Sequence, residues 1–275
     1  LGAATVRSVI PRLSLPRIRV SLPILILLAV AAAGCRDRAA KEERPRAVLT
    51  VSAAASLREA MTELEASFEA ANAGVDVRTN FGASGALRQQ IEQGAPVDVF
   101  VSAAEAPMDA LQKAGLIDPR TRRVAAGNEL VLVVPAAGAS PVRAFADLAR
   151  PEVRRIALGA PASVPAGDYA EQVLRALGIA EAVRARIVYA QNVRQVLGYV
   201  ESGNVDAGVV YRTDAAVSRR VRVAAAAPPG THRPITYPVA VVARTAEPEL
   251  ARAYAAHLLG PAGREVLRRR GFRVE

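Results

Sequence analysis

In 275 residues the sequence has one cysteine, Cys35, no tryptophan, two histidines, His232 and His257, and two lysines, Lys41 and Lys113. A lone cysteine excludes a disulfide framework. With only two histidines beside it, a structural or catalytic metal site is not expected either. Aromatic residues make up 4% of the chain, so its cores must be built from alanine, valine and leucine. The hydrophobic share of 51% is ample for that, and the length suits two lobes of ordinary size. The formal net charge is +10, nearly all of the positive charge being arginine. Basic and aromatic residues do not interleave as a nucleic-acid surface needs, so no nucleic-acid partner is expected. The triplet RRR at 268–270 reads as a solvated helix face.

Residues 1–34 do not read as fold. Arg7, Arg12, Arg17 and Arg19 precede the uncharged run LPILILLAVAAAG, the layout of a secretory signal with a basic start, an apolar middle and small residues at the cut. The run AAGC resembles a bacterial lipobox, in which the cysteine after the cut is lipidated. Cys35 is the expected lipidation site, although Ala32 stands where leucine is usual and plain cleavage nearby is the alternative. Residues 35–46 then form a charged tether, with mixed signs and no apolar periodicity. Without the four arginines of the signal the charge of +10 falls to +6, spread over a surface that attracts anions. The expected location is periplasmic or extracytoplasmic, with a membrane anchor if Cys35 is acylated.

From residue 47 onward β-like and helical segments alternate. VLTVS (48–52) reads as a strand, and Leu57, Met61, Leu64 and Phe68 mark one face of the helix that follows. VDVRTNF (75–81) leads to a helix carrying Leu87 and Ile91 inward, and VDVFVS (97–102) to a helix ending at Gly115. After the long strand NELVLVVP (128–135) the same grammar restarts with RIALG (155–159), RIVYA (186–190) and DAGVVY (206–211). ITYPVAVVA (235–243) is a second long strand, and two helices close the chain. Repeated β-α units predict mostly parallel sheets, and the two long strands predict a chain that crosses between two halves and returns. The predicted lobes are 47–128 with 238–275, and 129–237. Ligands in such folds sit at the carboxyl ends of the strands, here in the cleft between lobes.

Four strand-to-helix junctions share small or hydroxylic residues: AAAS ending at Ser56, FGAS ending at Ser84, VPAG around Ala166, and QNV, where Asn192 caps and Val193 starts a helix. Taken singly, each is an ordinary structural start. Together they expose first-turn N–H groups, which have no intrahelical partner and carry the positive end of the helix dipole. A small oxyanion finds donors and field there. Asp98 and Asp206, at strand starts, are expected to bind backbone rather than ligand. Tyr211, at the end of DAGVVY, reads by itself as a packing residue with its hydroxyl at the rim.

AAASLREAM, FGASGALRQQIEQGAPVDVFVSA, VPAGDYA, NVRQVLGYVESG, DAGVVYRTDA and YPVAVV occur in this order, and together they resemble the periplasmic molybdate-binding proteins of ABC importers. The resemblance covers residues 47–275, down to GPAGREVLRRRGF. It implies a bilobal class II periplasmic-binding-protein fold, α/β in class, with two mostly parallel lobes joined by two crossover strands. It also implies a ligand set: hydroxyl and N–H of Ser56 and Ser84, the N–H of Ala166, the N–H of Val193, and the hydroxyl of Tyr211. Ser56 then serves as both cap and donor, and the alanines before it leave the anion room. The ligand implied is molybdate, and tungstate with it, delivered to the membrane subunits of an importer by a monomer that performs no chemical step and needs no cofactor. GASGA departs from relatives with a run of serines here, and Asn192 stands where some have aspartate.

Two other readings stay open beside this one. The cleft could take another tetrahedral oxyanion, sulfate or phosphate, or feed a sensor. A serine hydrolase is the weaker alternative, because a nucleophilic serine needs a base and no histidine or lysine lies near Ser56 or Ser84 in sequence. No G-x-S-x-G elbow is present.

Overall fold

A computed structural model of the chain describes Gly2 and residues 47–274. The signal, the tether and Cys35 lie outside the described residues. The chain divides into two units, Leu1–Glu43 and Arg44–Glu275, and the fold is that of the second.

Strand and helix alternate as the pattern predicts. β1 (Ala47–Ala54) passes through a 3-10 turn (Ala55–Leu57) into α1 (Arg58–Ala71), β2 (Val75–Gly82) into α2 (Ser84–Glu92), and β3 (Val99–Val101) into α3 (Glu105–Lys113). After β4 (Arg123–Gly127) the chain crosses at Asn128 and Glu129 and begins a second sheet with β5 (Leu130–Pro135). There β6 (Ile156–Gly159) precedes α4 (Pro165–Ala176) and a short α5 (Ala180–Val183). β7 (Ile187–Ala190) precedes α6 (Val193–Glu201), and β8 (Ala207–Tyr211) precedes α7 (Arg212–Ala216) and β9 (Val221–Ala226). Residues 227–235 lead back to the first sheet as β10 (Thr236–Val241), and α8 (Pro248–Leu259) and α9 (Pro261–Arg269) follow.

The strand orders are β2-β1-β3-β10-β4 and β7-β6-β8-β5-β9. In each sheet one strand opposes the rest, and it is the strand that enters from the other lobe: β10 is antiparallel to β3 and β4, and β5 to β8 and β9. The β-α-β units are parallel, because a helical crossover returns the chain to the same end of the sheet. Thr236 and Tyr237 already pair with Gly127 and Ala126, so the first sheet resumes before Pro238. Nothing in the sequence pattern marks β4 and β9. Their segments RVAAG and VRVAAA are short and alanine-rich, and they become strands because β10 and β5 each offer an unpaired edge.

Leu57, Met61, Leu64 and Phe68 are all buried, against Leu49, Val51 and Ala53 of β1 in the main core. Burying each large apolar side chain contributes roughly 1.5–3 kcal/mol. Leu87 and Ile91 point into a smaller cluster with Phe100, Met108 and Leu111. Asp98 accepts the Thr50 N–H at 2.7 Å, and Asp206 accepts those of Arg154 and Arg155 at 2.7 and 2.8 Å, so both carboxylates tie backbone together as expected.

The start of α4 lies hard against the end of β6. A Cβ on Gly167 would sit 2.0 Å from the Gly159 carbonyl oxygen, backbone that cannot yield cheaply. Gly167→Ala should therefore destabilise the protein by about 1–3 kcal/mol. Chemical denaturation would show it as a lowered midpoint with unchanged slope, and an unchanged midpoint would contradict the packing described.

Candidate ligand-binding site

The six strands of the parallel β-α units all end at one place. Ser56 follows β1, Ser84 follows β2, Ala103 follows β3, Ala166 follows β6, Val193 follows β7, and Tyr211 is the last residue of β8. All six line a single small cavity between the two sheets, with about 10 Å³ of space for the centre of a water-sized sphere. Space on that scale is too small for an organic ligand of ordinary size and suits one of a few atoms. Among the five residues expected at the site none is more than 4% exposed, so a ligand there is stripped of most of its water.

The wall carries no charged side chain. Ala166 is the second residue of α4, after Pro165, and Val193 is the first of α6. The helix itself offers no acceptor to either N–H. Asn192 caps α6 by accepting the Gln195 N–H at 3.0 Å, as its sequence context predicts. The serines depart from the expected role. Ser56 lies inside the 3-10 turn with Ala54 as its N-cap, Ser84 is the first residue of α2 behind Ala83, and neither hydroxyl caps a helix. Their side chains are thereby free of the backbone that a cap would satisfy.

Each serine oxygen meets a partner in the protein. Ser84 Oγ accepts the Ala103 N–H at 2.9 Å, which leaves its own proton to donate. Ser56 Oγ lies 3.0 Å from the Tyr237 hydroxyl. Neither partner is a base that could activate a nucleophile. His257 instead bonds Ser67 at 2.7 Å, and His232 Nδ1 bonds the Arg233 carbonyl at 2.6 Å. The Tyr211 hydroxyl comes within 3.5 Å of the Ala103 carbonyl across the cleft, a long contact that a better acceptor would displace. Burial raises its pKa well above the usual phenol value, so it stays a neutral donor. A wall of N–H and O–H donors with no fixed charge is complementary to a small, fully deprotonated oxyanion.

Two contacts across the cleft went beyond anything the sequence pattern signals. The Gly85 N–H donates to the Ser163 carbonyl at 2.9 Å, and a Cβ on Gly85 would lie 2.7 Å from the Ser163 Cα and oxygen. The GASGA departure thus has a structural use, since only glycine lets the lobes meet so closely. Arg194, next to Val193, grips Glu59 of α1 with both terminal nitrogens, Nη1 at 2.9 Å, while its Nε lies 2.6 Å from Asp214. Full burial pushes the Asp214 carboxyl up to about 6 against the pull of Arg194. Partial burial acts to raise Glu59 as well, but the Arg194 guanidinium outweighs it and holds that carboxyl below its ordinary value. No group of three or more metal-ligating side chains occurs among the described residues.

A bilobal α/β fold with a small donor-lined cavity at the strand ends defines a solute-binding protein. Residues 49–273 match the family of bacterial extracellular solute-binding proteins, and the chain belongs to that family. It is 43% identical over 244 residues to YvgL of Bacillus subtilis (strain 168), described as a candidate ABC transporter substrate-binding lipoprotein, covering 88% of this chain and 93% of that one. It is 37% identical to the molybdate-binding protein ModA of Escherichia coli (strain K12), covering 82% and 89%. Its fold superposes on the periplasmic molybdate-binding protein of Azotobacter vinelandii with a TM-score of 0.73 at 27% identity, covering 82% and 99%. No helix among the described residues is long and apolar enough to cross a membrane.

Gly85→Ala should leave each lobe folded and hold the two apart by the width of a methyl group. Overpacking of this kind costs about 1–3 kcal/mol. Here it would fall on the arrangement in which the lobes meet, so if the cavity holds an oxyanion its affinity should drop roughly five- to 150-fold. Calorimetric titration against the unsubstituted protein checks it, and equal affinity would contradict the role given to this contact.

Proposed function

We propose that this protein captures molybdate, and tungstate with it, in the cleft between its lobes and delivers it to the membrane subunits of an ABC importer. The observation that carries the reading is the meeting of Ser56, Ser84, Ala166, Val193 and Tyr211 in one small uncharged cavity. The relatives named as molybdate-binding support the choice of anion. In this reading the two serines give hydroxyl and N–H, Ala166 and Val193 give N–H only, and Tyr211 gives its hydroxyl. Ala and Val suit their places because only the backbone is used. The lobes built on the two sheets close about the crossings at residues 128–129 and 227–235 in a hinge motion. Transport requires capture and release, so no chemical step and no cofactor enter, and the protein works as a monomer tethered through an acylated Cys35.

A helix N-terminus is worth up to about 2 kcal/mol to an anion when partly buried, so several together hold one without a cationic side chain. Selectivity against sulfate follows from size. Donors set for a larger tetrahedron are left unpaired by a smaller one, at about 1–3 kcal/mol each. Hydrogen phosphate carries a proton that needs an acceptor, and the donor-lined wall gives it a poor match.

Thermal unfolding with equal concentrations of molybdate, tungstate, sulfate and phosphate tests this. A ligand at a hundredfold excess over its Kd adds about 2.7 kcal/mol. Large upward shifts with molybdate and tungstate alone are expected. They should be reduced in Ser84→Ala and lost in Ala166→Pro, which removes the N–H. A shift with sulfate or phosphate instead would keep the cleft and change the cargo, and no shift with any anion would overturn the reading.

A further inference from the structure

Tyr237 and Asn128 belong to neither the cavity wall nor the resemblance-implied ligand set, yet they reach the site through Ser56. Asn128 stands at the first crossing between lobes, between β4 and β5, and Tyr237 stands in β10 where the second crossing ends. Both are buried. Their hydrogen bonds have a definite direction, and it can be followed from the backbone outward.

The Glu129 N–H, which can only donate, gives its proton to Asn128 Oδ1 at 2.8 Å. That fixes the amide: its NH₂ faces the other way and donates to Thr213 Oγ1 at 2.9 Å and to the Tyr237 hydroxyl at 3.1 Å. Tyr237 has therefore already accepted a proton from Asn128. Its own single proton is buried and needs an acceptor, and Ser56 Oγ lies 3.0 Å away. Ser56 Oγ is thus occupied as an acceptor, and its own proton is left to point into the cavity. Burial, with the Asp214 carboxylate adding to it, raises the Tyr237 pKa, so the phenol keeps the proton the chain depends on. The Tyr237 ring is held by edge contacts with Tyr211 at 5.9 Å and Phe272 at 5.3 Å between centroids.

We propose that Asn128 and Tyr237, one at each crossing between the lobes, are positioning residues that commit the Ser56 hydroxyl to donate to the bound anion. The proposal rests on the reading of the cavity as an oxyanion site. Without the relay the serine hydroxyl could turn, donate to a neighbour and present a lone pair to the ligand. A turned hydroxyl repels a fully deprotonated anion and accommodates a protonated one. The relay therefore contributes to discrimination as well as to affinity.

The test is calorimetric titration of the full protein with molybdate and with phosphate, using Ser56→Ala, Tyr237→Phe and the double variant. Tyr237→Phe keeps the ring and removes only the hydroxyl. Expected is a loss of roughly tenfold in molybdate affinity, the size of one directed hydrogen bond. The preference for molybdate over phosphate should narrow, and Ser56→Ala should cost much less in the Tyr237→Phe background than alone, as coupled residues do. A residue that merely packs would lower the unfolding temperature and leave the anion preference and the additivity untouched. Should Tyr237→Phe fold poorly, Asn128→Leu removes the first donor of the relay and should shift affinity and preference in the same direction. Wild-type affinity in the folded variants, or strictly additive losses, would overturn the relay while leaving the oxyanion site standing. Failure of the unsubstituted protein to bind any of the anions would overturn the site reading itself, and the relay with it.

Discussion

An anion taken out of water must recover its hydrogen bonds, and in the proposed site they would come from main-chain N–H groups that their own helices cannot use. The fold's other features follow from that need. Parallel β-α units place a helix start at the end of every such strand, and two sheets facing each other bring those starts together. Small residues before each helix keep the N–H groups approachable. Neutral donors also avoid the cost of a buried cation waiting in an empty cleft, since water can satisfy an N–H until the ligand arrives.

Charge is present close by, but one layer back from the cavity. Arg194 follows directly on Val193, and its guanidinium turns away to Glu59 and Asp214, so it ties the lobes instead of lining the cavity. Gly85 and Ser163 make a second tie through backbone alone. Both ties sit beside the helix starts they bring together, so in the proposed hinge closure the lobes would meet and the donor set would be completed in one event. The relay through Asn128 and Tyr237 joins the crossings to the same donor set from behind.

Much of this was legible in the sequence. Alternating strand and helix, the inward faces of the first two helices, the crossover strands and the four helix starts at the cavity could be read from periodicity and cap chemistry, while Tyr211 is placed there only by the family resemblance. What could not be read is instructive. β4 and β9 carry no pattern of their own and exist because a neighbouring edge is open. Ser56 and Ser84 resemble caps because serine before a helix usually caps, yet each hydroxyl is engaged by a distant partner, Tyr237 or the Ala103 N–H. Asn128, Gly85 and Arg194 look ordinary in sequence, and their roles depend on residues 109, 78 and 135 positions away. Tertiary pairing of that kind leaves no local signal.

The central claim is that unpaired backbone donors, and not side-chain charge, hold the anion. Following the amide resonances of ¹⁵N-labelled protein during a molybdate titration tests it most directly. The amide protons of Ser56, Ser84, Ala166 and Val193 should move strongly downfield as each gains a charged acceptor, while core amides such as that of Leu132 stay in place. Saturable binding that leaves those four resonances unmoved, or moves only those of exposed arginines, would contradict the account.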